Sequence, residues 1–148
     1  MPIRIFQEDI SYKLSNLAKI KQWIKFTVLK EGFEVGEISY IFCTDPFLLE
    51  LNKKYLKHKT LTDIITFDYS EQETTSADVF ISIDRIKENA IKFGVKPHDE
   101  MLRVMIHGIL HLMGYSDKSK SEKSVMKEKE DEYLSLWKGR FHVKHLGR

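Results

Sequence analysis

The chain holds one cysteine, three prolines and seven glycines, and neither charge is in clear surplus. Each scarcity excludes something. Cys43 alone cannot close an intrachain disulfide, so the chain is not a disulfide-stapled scaffold. Within the apolar run 38–43, Cys43 reads as a small core residue. With so little proline and glycine there is no flexible linker, and no repeat or low-complexity tract divides the chain. Its 148 residues fit one domain, 1–148, with one sizeable core. No stretch approaches the roughly 18 apolar residues of a membrane span. Met1-Pro2-Ile3-Arg4-Ile5-Phe6 lacks the charged-then-apolar pattern of a signal peptide, so the expected compartment is the cytoplasm. With 24 Lys and Arg against 22 Asp and Glu, the net charge is +2. That neither requires nor excludes nucleic acid, and any affinity for it must rest on a local patch.

What is present is a clear periodic pattern. Residues 3–6 read as a first strand. Over 15–30, Leu17, Ile20, Trp23, Ile24, Thr27 and Val28 recur at helical spacing, and Gly32 stops the pattern. Residues 37–43 favour β structure through Ile38, Tyr40, Ile41 and Phe42. Asp45 is an N-cap candidate ahead of Pro46 at the first helical position, and a helix over 47–55 presents Leu48, Leu49, Leu51 and Tyr55. Two β-branched runs, 62–67 and 78–83, are joined by the polar segment 68–77. A helix over 85–93 closes at Gly94, and Pro97 opens another that runs to Met113. The last helix spans 121–137 with Val125, Met126, Tyr133, Leu134 and Trp137 inward, and the basic end, 139–148, reads as a loose tail. This order predicts an α+β fold: a small mixed sheet of about four strands packed with about five helices.

The most informative stretch is His107-Gly108-Ile109-Leu110-His111-Leu112-Met113-Gly114-Tyr115-Ser116-Asp117. Residues i and i+4 share a helical face, so both imidazoles can direct a ring nitrogen at one point. Their neighbours Val104, Met105, Ile106, Ile109, Leu110 and Leu112 are apolar, which makes unpartnered imidazoles costly there. Gly114 supplies a turn that can fold Asp117 back. Two histidines and a carboxylate, with a fourth position left for water, form a pattern of catalytic zinc, although several other divalent ions accept the same donors. Long-motif metalloproteases share the helical His pair, the glycine turn and a third ligand. They place a Glu directly after the first His as general base. Here that position is Gly108, so peptide hydrolysis by that route is not expected.

The run from His107 to Tyr115 resembles the signature of the YbeY family, whose usual form is HGxLHLxGYDH. Leu51-Asn52 through Thr62-Asp63-Ile64-Ile65-Thr66-Phe67 is similar to that family's LN…TDVLSF block. Asp78-Val79-Phe80-Ile81-Ser82 is similar to its GDIVIS strand, and Glu100-Met101-Leu102-Arg103-Val104 to the helix leading into the histidines. The resemblance implies a single-domain, zinc-dependent endoribonuclease with one Zn2+ per chain. It implies single-stranded RNA as substrate, maturation of ribosomal RNA (notably the three-prime end of the small-subunit RNA), and work beside small-subunit ribosomal proteins in ribosome biogenesis and quality control. The implied fold, a small mixed sheet with helices, agrees with the pattern above.

The resemblance departs at two positions. The family's third ligand is usually a His where this chain has Asp117. A carboxylate oxygen coordinates zinc at about 2.0–2.2 Å, so His107, His111 and Asp117 remain a metal-ligand set; the other reading makes Asp117 a supporting acid and loses the third ligand. The family usually has an Arg, thought to act at the scissile phosphate, where this chain has Leu56. Lys57 and Lys59 follow at once and offer point charges in place of a bidentate fork; the other reading is a solvated basic loop. Asp63 is a candidate catalytic helper, or else a strand-entry residue hydrogen-bonded to backbone.

Lys53, Lys54, Lys57 and Lys59 form a cluster suited to RNA phosphates. Lys118, Lys120, Lys123, Lys127 and Lys129 form a second, but they alternate with Glu122, Glu128, Glu130 and Asp131, as on a salt-bridged solvent face. Two further functions fit the same residues. One is a non-catalytic, zinc-containing ribosome-assembly or RNA-binding factor; structural zinc takes four protein ligands, and Cys43, His58, His98, His142 and His145 make poor fourths. The other is a metal-dependent hydrolase of a small substrate.

Overall fold

The computed structural model describes residues 3–56 and 62–141. β1 (Ile3–Gln7), β2 (Glu34–Cys43), β3 (Ile64–Asp68) and β4 (Thr74–Ser82) form one sheet in the order β1-β2-β4-β3. β1 and β4 lie parallel to β2, and β3 runs antiparallel to β4. The described residues form five α-helices that pack on the sheet: α1 (Leu17–Lys30), α2 (Asp45–Leu51), α3 (Ile83–Phe93), α4 (Pro97–Leu112) and α5 (Lys120–Leu136). The α+β fold with a four-stranded mixed sheet is therefore as expected.

α4 is the axis of the core. It is apolar nearly all round, and such a helix must be buried on most sides. Met101, Leu102, Met105, Ile106, Ile109 and Leu110 are all fully buried. They pack with Trp23 and Ile24 of α1 and with the inward residues of the sheet: Ile38, Tyr40 and Phe42 of β2, and Ala77, Val79 and Ile81 of β4. Two of the polar aromatics buried in this core donate to backbone carbonyls. The Tyr40 hydroxyl donates to the Met105 carbonyl at 3.0 Å, and the Trp23 indole N–H donates to the Tyr133 carbonyl at 2.8 Å. On the other sheet face a smaller cluster, Cys43, Leu48 and Ile65, lies beneath α2. Cys43 is thus a core residue. Burial, reinforced by the charges of Asp9, Asp45, Asp84 and Glu8, pushes its thiol up to about 12.

The structure differs from the sequence pattern at several boundaries. The N-cap of α2 is Thr44, and Asp45 is already helical. The Asp45 carboxylate instead accepts from the Ser82 hydroxyl at 2.6 Å and pairs with Arg85 at 3.1 Å, partners brought by the end of β4 and the start of α3. β4 begins at Thr74, deep in the polar segment, because the β-branched Thr74 and Thr75 pair with β2 despite their polarity. The helix expected over 47–55 changes character at Asn52, where it widens into a π-helical turn, Asn52–Leu56. A second π-helical turn, Trp137–Phe141, prolongs α5. Phe141 lies 5.5 Å from Phe26, so the first residues of the expected tail pack on α1, while 142–148 lie outside the described residues. Among the described residues no helix is long and apolar enough to cross a membrane.

Candidate metal centre

His107 and His111 stand one turn apart near the end of α4, their rings 4.9 Å centre to centre. The helix then closes in a Schellman motif. Gly114 adopts φ of 103°, a left-handed conformation that disfavours any side chain. Its N–H donates to the His111 carbonyl and the Tyr115 N–H to the Leu110 carbonyl, each at 3.1 Å. This reversal returns Asp117 to the histidines. Asp117 Oδ2 lies 3.5 Å from His107 Nε2, and Oδ1 lies 3.3 Å from His111 Nε2.

One donor atom from each residue lies within 4.8 Å of the others, so the group could hold a metal ion. The donor chemistry fits: two ligands each about 2.0–2.1 Å from one tetrahedral ion sit about 3.3 Å apart. The His111 and Asp117 side chains are 37% and 39% exposed, so the group opens to solvent on one side.

Behind His107 lies a partner that the sequence pattern did not single out. Its Nδ1–H donates to Glu130 Oε2 at 2.7 Å. A carboxylate there fixes the tautomer and leaves Nε2 free to accept an ion. Glu130 is in turn held by Arg103 at 2.7 Å, and the other arm of Arg103 takes Asp131 at 2.7 Å. Burial alone would lower the proton affinity of His107. The Glu130 hydrogen bond and the charges of Glu130, Asp117 and Asp63 outweigh it, so its pKa lies above the ordinary imidazole value. Glu130 is buried, not part of the solvated face expected for α5, although Lys127 does pair with Asp131 at 3.1 Å.

A cleft of about 450 Å³ opens on the β3 side of the group, lined by Leu56, the segment from Thr62 to Thr66, Asp68, His107, Gly108, His111, Leu112 and Asp117. The π-helical turn carries Leu56 to this cleft. Asp63 lines it too. Its carbonyl accepts from the Ser82 N–H at 3.0 Å, so it is also a strand-entry residue bonded to backbone. Burial pushes the Asp63 carboxyl above its ordinary value, against the opposing charge of His107. Lys57 and Lys59 lie outside the described residues, as does His58. Lys53 and Lys54 are exposed on the π-helical turn. Neither Cys43 nor His98 belongs to the metal group.

The family model described as "Endoribonuclease YbeY" matches residues 3–138. The chain belongs to the YbeY family. The Endoribonuclease YbeY of Flavobacterium psychrophilum is 46% identical over 139 residues, covering 94% of this chain and 96% of that protein. That of Cytophaga hutchinsonii is 47% identical over 137 residues, covering 92% and 96%. The solution structure of TM1509 from Thermotoga maritima matches with a TM-score of 0.64 at 29% identity, covering 99% of each chain. Both departures from the YbeY signature, Leu56 and Asp117, line the same cleft.

Proposed function

We propose that this YbeY protein is a single-domain, metal-dependent endoribonuclease that cleaves single-stranded RNA in the cytoplasm. Its task is maturation of ribosomal RNA at the three-prime end of the small-subunit RNA, beside small-subunit ribosomal proteins. The ion is one Zn2+ held by His107, His111 and Asp117. The observation that carries this reading is the convergence of both Nε2 atoms and one carboxylate at an open cleft, with Glu130 behind His107. Family membership supports the nuclease chemistry. Three protein donors beside an open cleft suit a working ion better than a structural one, which takes four, so the assembly-factor reading is not favoured.

Bound there, the ion supplies Lewis acidity toward a phosphoryl oxygen and an attacking hydroxyl or water. The chain's own residues do the rest. Glu130 holds His107 in the ligating tautomer, and the Schellman turn holds Asp117 opposite. Asp117 brings a full negative charge where the signature has a neutral imidazole, so the centre is less positive. Asp63, made more basic by burial, stands at the cleft wall as the group to accept a proton. Leu56 cannot grip a phosphate, so Lys57 and Lys59 supply that positive charge, with Lys53 and Lys54 binding the strand further out.

The test is cleavage of a labelled single-stranded RNA and its duplex by the full chain, alongside elemental analysis of the purified protein. Near-stoichiometric zinc and cutting of the single strand, lost in Asp117→Ala and His111→Ala, are expected. Zinc without any cutting would establish the assembly-factor reading instead.

A further inference from the structure

A second cleft opens on the other side of His107. It is the larger of the two, about 770 Å³ against about 450 Å³, and lies between α4, α5 and the end of α3. His107 and Asp117 line both clefts, so the candidate metal centre sits where they meet. The walls of the larger cleft are mainly apolar: Phe93, Val95, Leu102, Met126, Leu134 and Trp137. Phe93 and Val95 remain 60% and 44% exposed, so nothing among the described residues covers them.

Two carboxylates lie deep in this cleft, and one of them, Glu130, is held by Arg103 and His107. Glu100 is only 6% exposed, yet its carboxylate makes no hydrogen bond or ion pair among the described residues. Of the charges that act on it, Arg103 is paired with Glu130 and Asp131, whereas Asp63 has no ion-pair partner among the described residues. Lys123 and Lys138, exposed residues that also line the cleft, have no ion-pair partner among the described residues. Among the described residues the fully buried side-chain atoms without a partner are Thr75 Oγ1 and His98 Nε2, so the Glu100 oxygens keep an opening to the cleft and present a free acceptor to whatever enters it.

We propose that this cleft is a nucleobase pocket with a preference for guanine. The inference rests on the RNA-cleavage reading and deepens it, because the shared residues His107 and Asp117 set the pocket beside the candidate metal centre. Guanine presents two adjacent N–H donors on one edge, which a carboxylate accepts together. Uracil presents a single N–H flanked by two carbonyl oxygens, which a carboxylate repels. Glu100 reads that edge, Phe93 and Val95 contact the base faces, and Lys123 and Lys138 take the adjoining phosphates. Recognition of unpaired bases through their edges and faces is how proteins read single-stranded RNA.

The experiment is a nitrogen-15 NMR titration of the full chain with guanosine and uridine 5′-monophosphates, repeated with Glu100→Gln and Phe93→Ala. Shifts at Phe93, Leu102 and the Trp137 indole are expected, with guanosine monophosphate binding about tenfold tighter, as one bidentate base contact provides. Glu100→Gln should erase the preference, and Phe93→Ala, at an exposed position, should weaken both nucleotides alike. Equal affinities, no shifts at those residues, or a preference that survives Glu100→Gln overturns the pocket. Mapping cleavage sites separates the two readings. Cutting without base preference, together with equal nucleotide affinities, leaves the nuclease and removes the pocket. Guanine-selective binding without any cutting leaves the pocket and removes the nuclease.

Discussion

Glu31, at the end of α1, accepts a hydrogen bond from the Tyr115 hydroxyl at 2.6 Å, and so ties the turn that carries Asp117 to a helix 84 residues away. Lys129 at 3.2 Å and the Tyr133 hydroxyl complete its shell. Burial alone would raise the Glu31 carboxyl. The hydrogen bonds from Tyr115, Tyr133 and Lys129, with the Lys129 charge, outweigh it and hold the pKa below the ordinary 4.5. A carboxylate whose folded pKa is depressed stabilises the fold above its unfolded pKa, and this contribution is lost as pH falls through the folded value. Glu31→Gln should therefore melt lower than wild type at neutral pH. The gap should narrow below about pH 4.5, the unfolded reference. Melting temperatures of both proteins across pH 3 to 7 (roughly, the range where linkage acts) check this; a constant gap would sink it.

Glu130 should matter for the ion more than for the fold. Removing the carboxylate behind a ligating imidazole typically costs about 10–100-fold in metal affinity. Glu130→Gln keeps the shape of the side chain and should show a loss of that order in a chelator-competition titration. An unchanged affinity would show that the 2.7 Å contact to His107 does not orient the ring.

Metal affinity should fall as pH drops, because a ligating imidazole must be unprotonated. The His107 pKa is raised above 6.5, chiefly by Glu130 acting against burial. The fall should therefore begin above pH 6.5, and in Glu130→Gln it should move to lower pH. Apparent dissociation constants measured at a series of pH values test both the sign and the shift.

Asp117 separates ligand from supporting acid. As a ligand, its loss in Asp117→Ala should lower zinc affinity well beyond the 10–100-fold of a supporting group. Asp117→His restores the signature residue and should retain the ion. Comparable zinc content in wild type and Asp117→Ala would mean that the carboxylate is not a ligand.

Gly108 lets α4 lie close to the sheet. An added Cβ would meet Ile64 Cδ1 at 2.8 Å and Val79 Cγ1 at 3.4 Å. The first is the far end of a side chain that can move, and alanine gains about 1 kcal/mol of helix propensity over glycine. Overpacking of about 1–3 kcal/mol opposes this gain, so Gly108→Ala should cost no more than about 2 kcal/mol in urea unfolding. Gly108→Val should cost more, since its branches meet Val79 and Thr66 as well.

Much of the site was legible because it is local. The His pair, the glycine turn and Asp117 span eleven consecutive residues, and their geometry follows from helical periodicity and one left-handed residue. Glu130 was missed because its charge resembles those around it on α5. The signal was there: Met126, Glu130, Tyr133 and Trp137 recur at helical spacing and are all buried. A carboxylate on such a stripe requires a buried partner, but the stripe does not say which. Asp45 was misplaced for a related reason, since its partners Ser82 and Arg85 arrive from the end of β4 and the start of α3.

The sequence by itself determined the α+β class, the order of the elements and which three residues could together hold a metal ion, because each depends on spacing along a few turns or one strand. Only the tertiary structure decided which charges stand together. Glu130 behind His107, Glu31 beneath Tyr115 and the unpaired Glu100 in the larger cleft are set by how α1, α4 and α5 pack. Packing brings residues far apart in sequence within hydrogen-bond reach, and no local periodicity encodes those pairings.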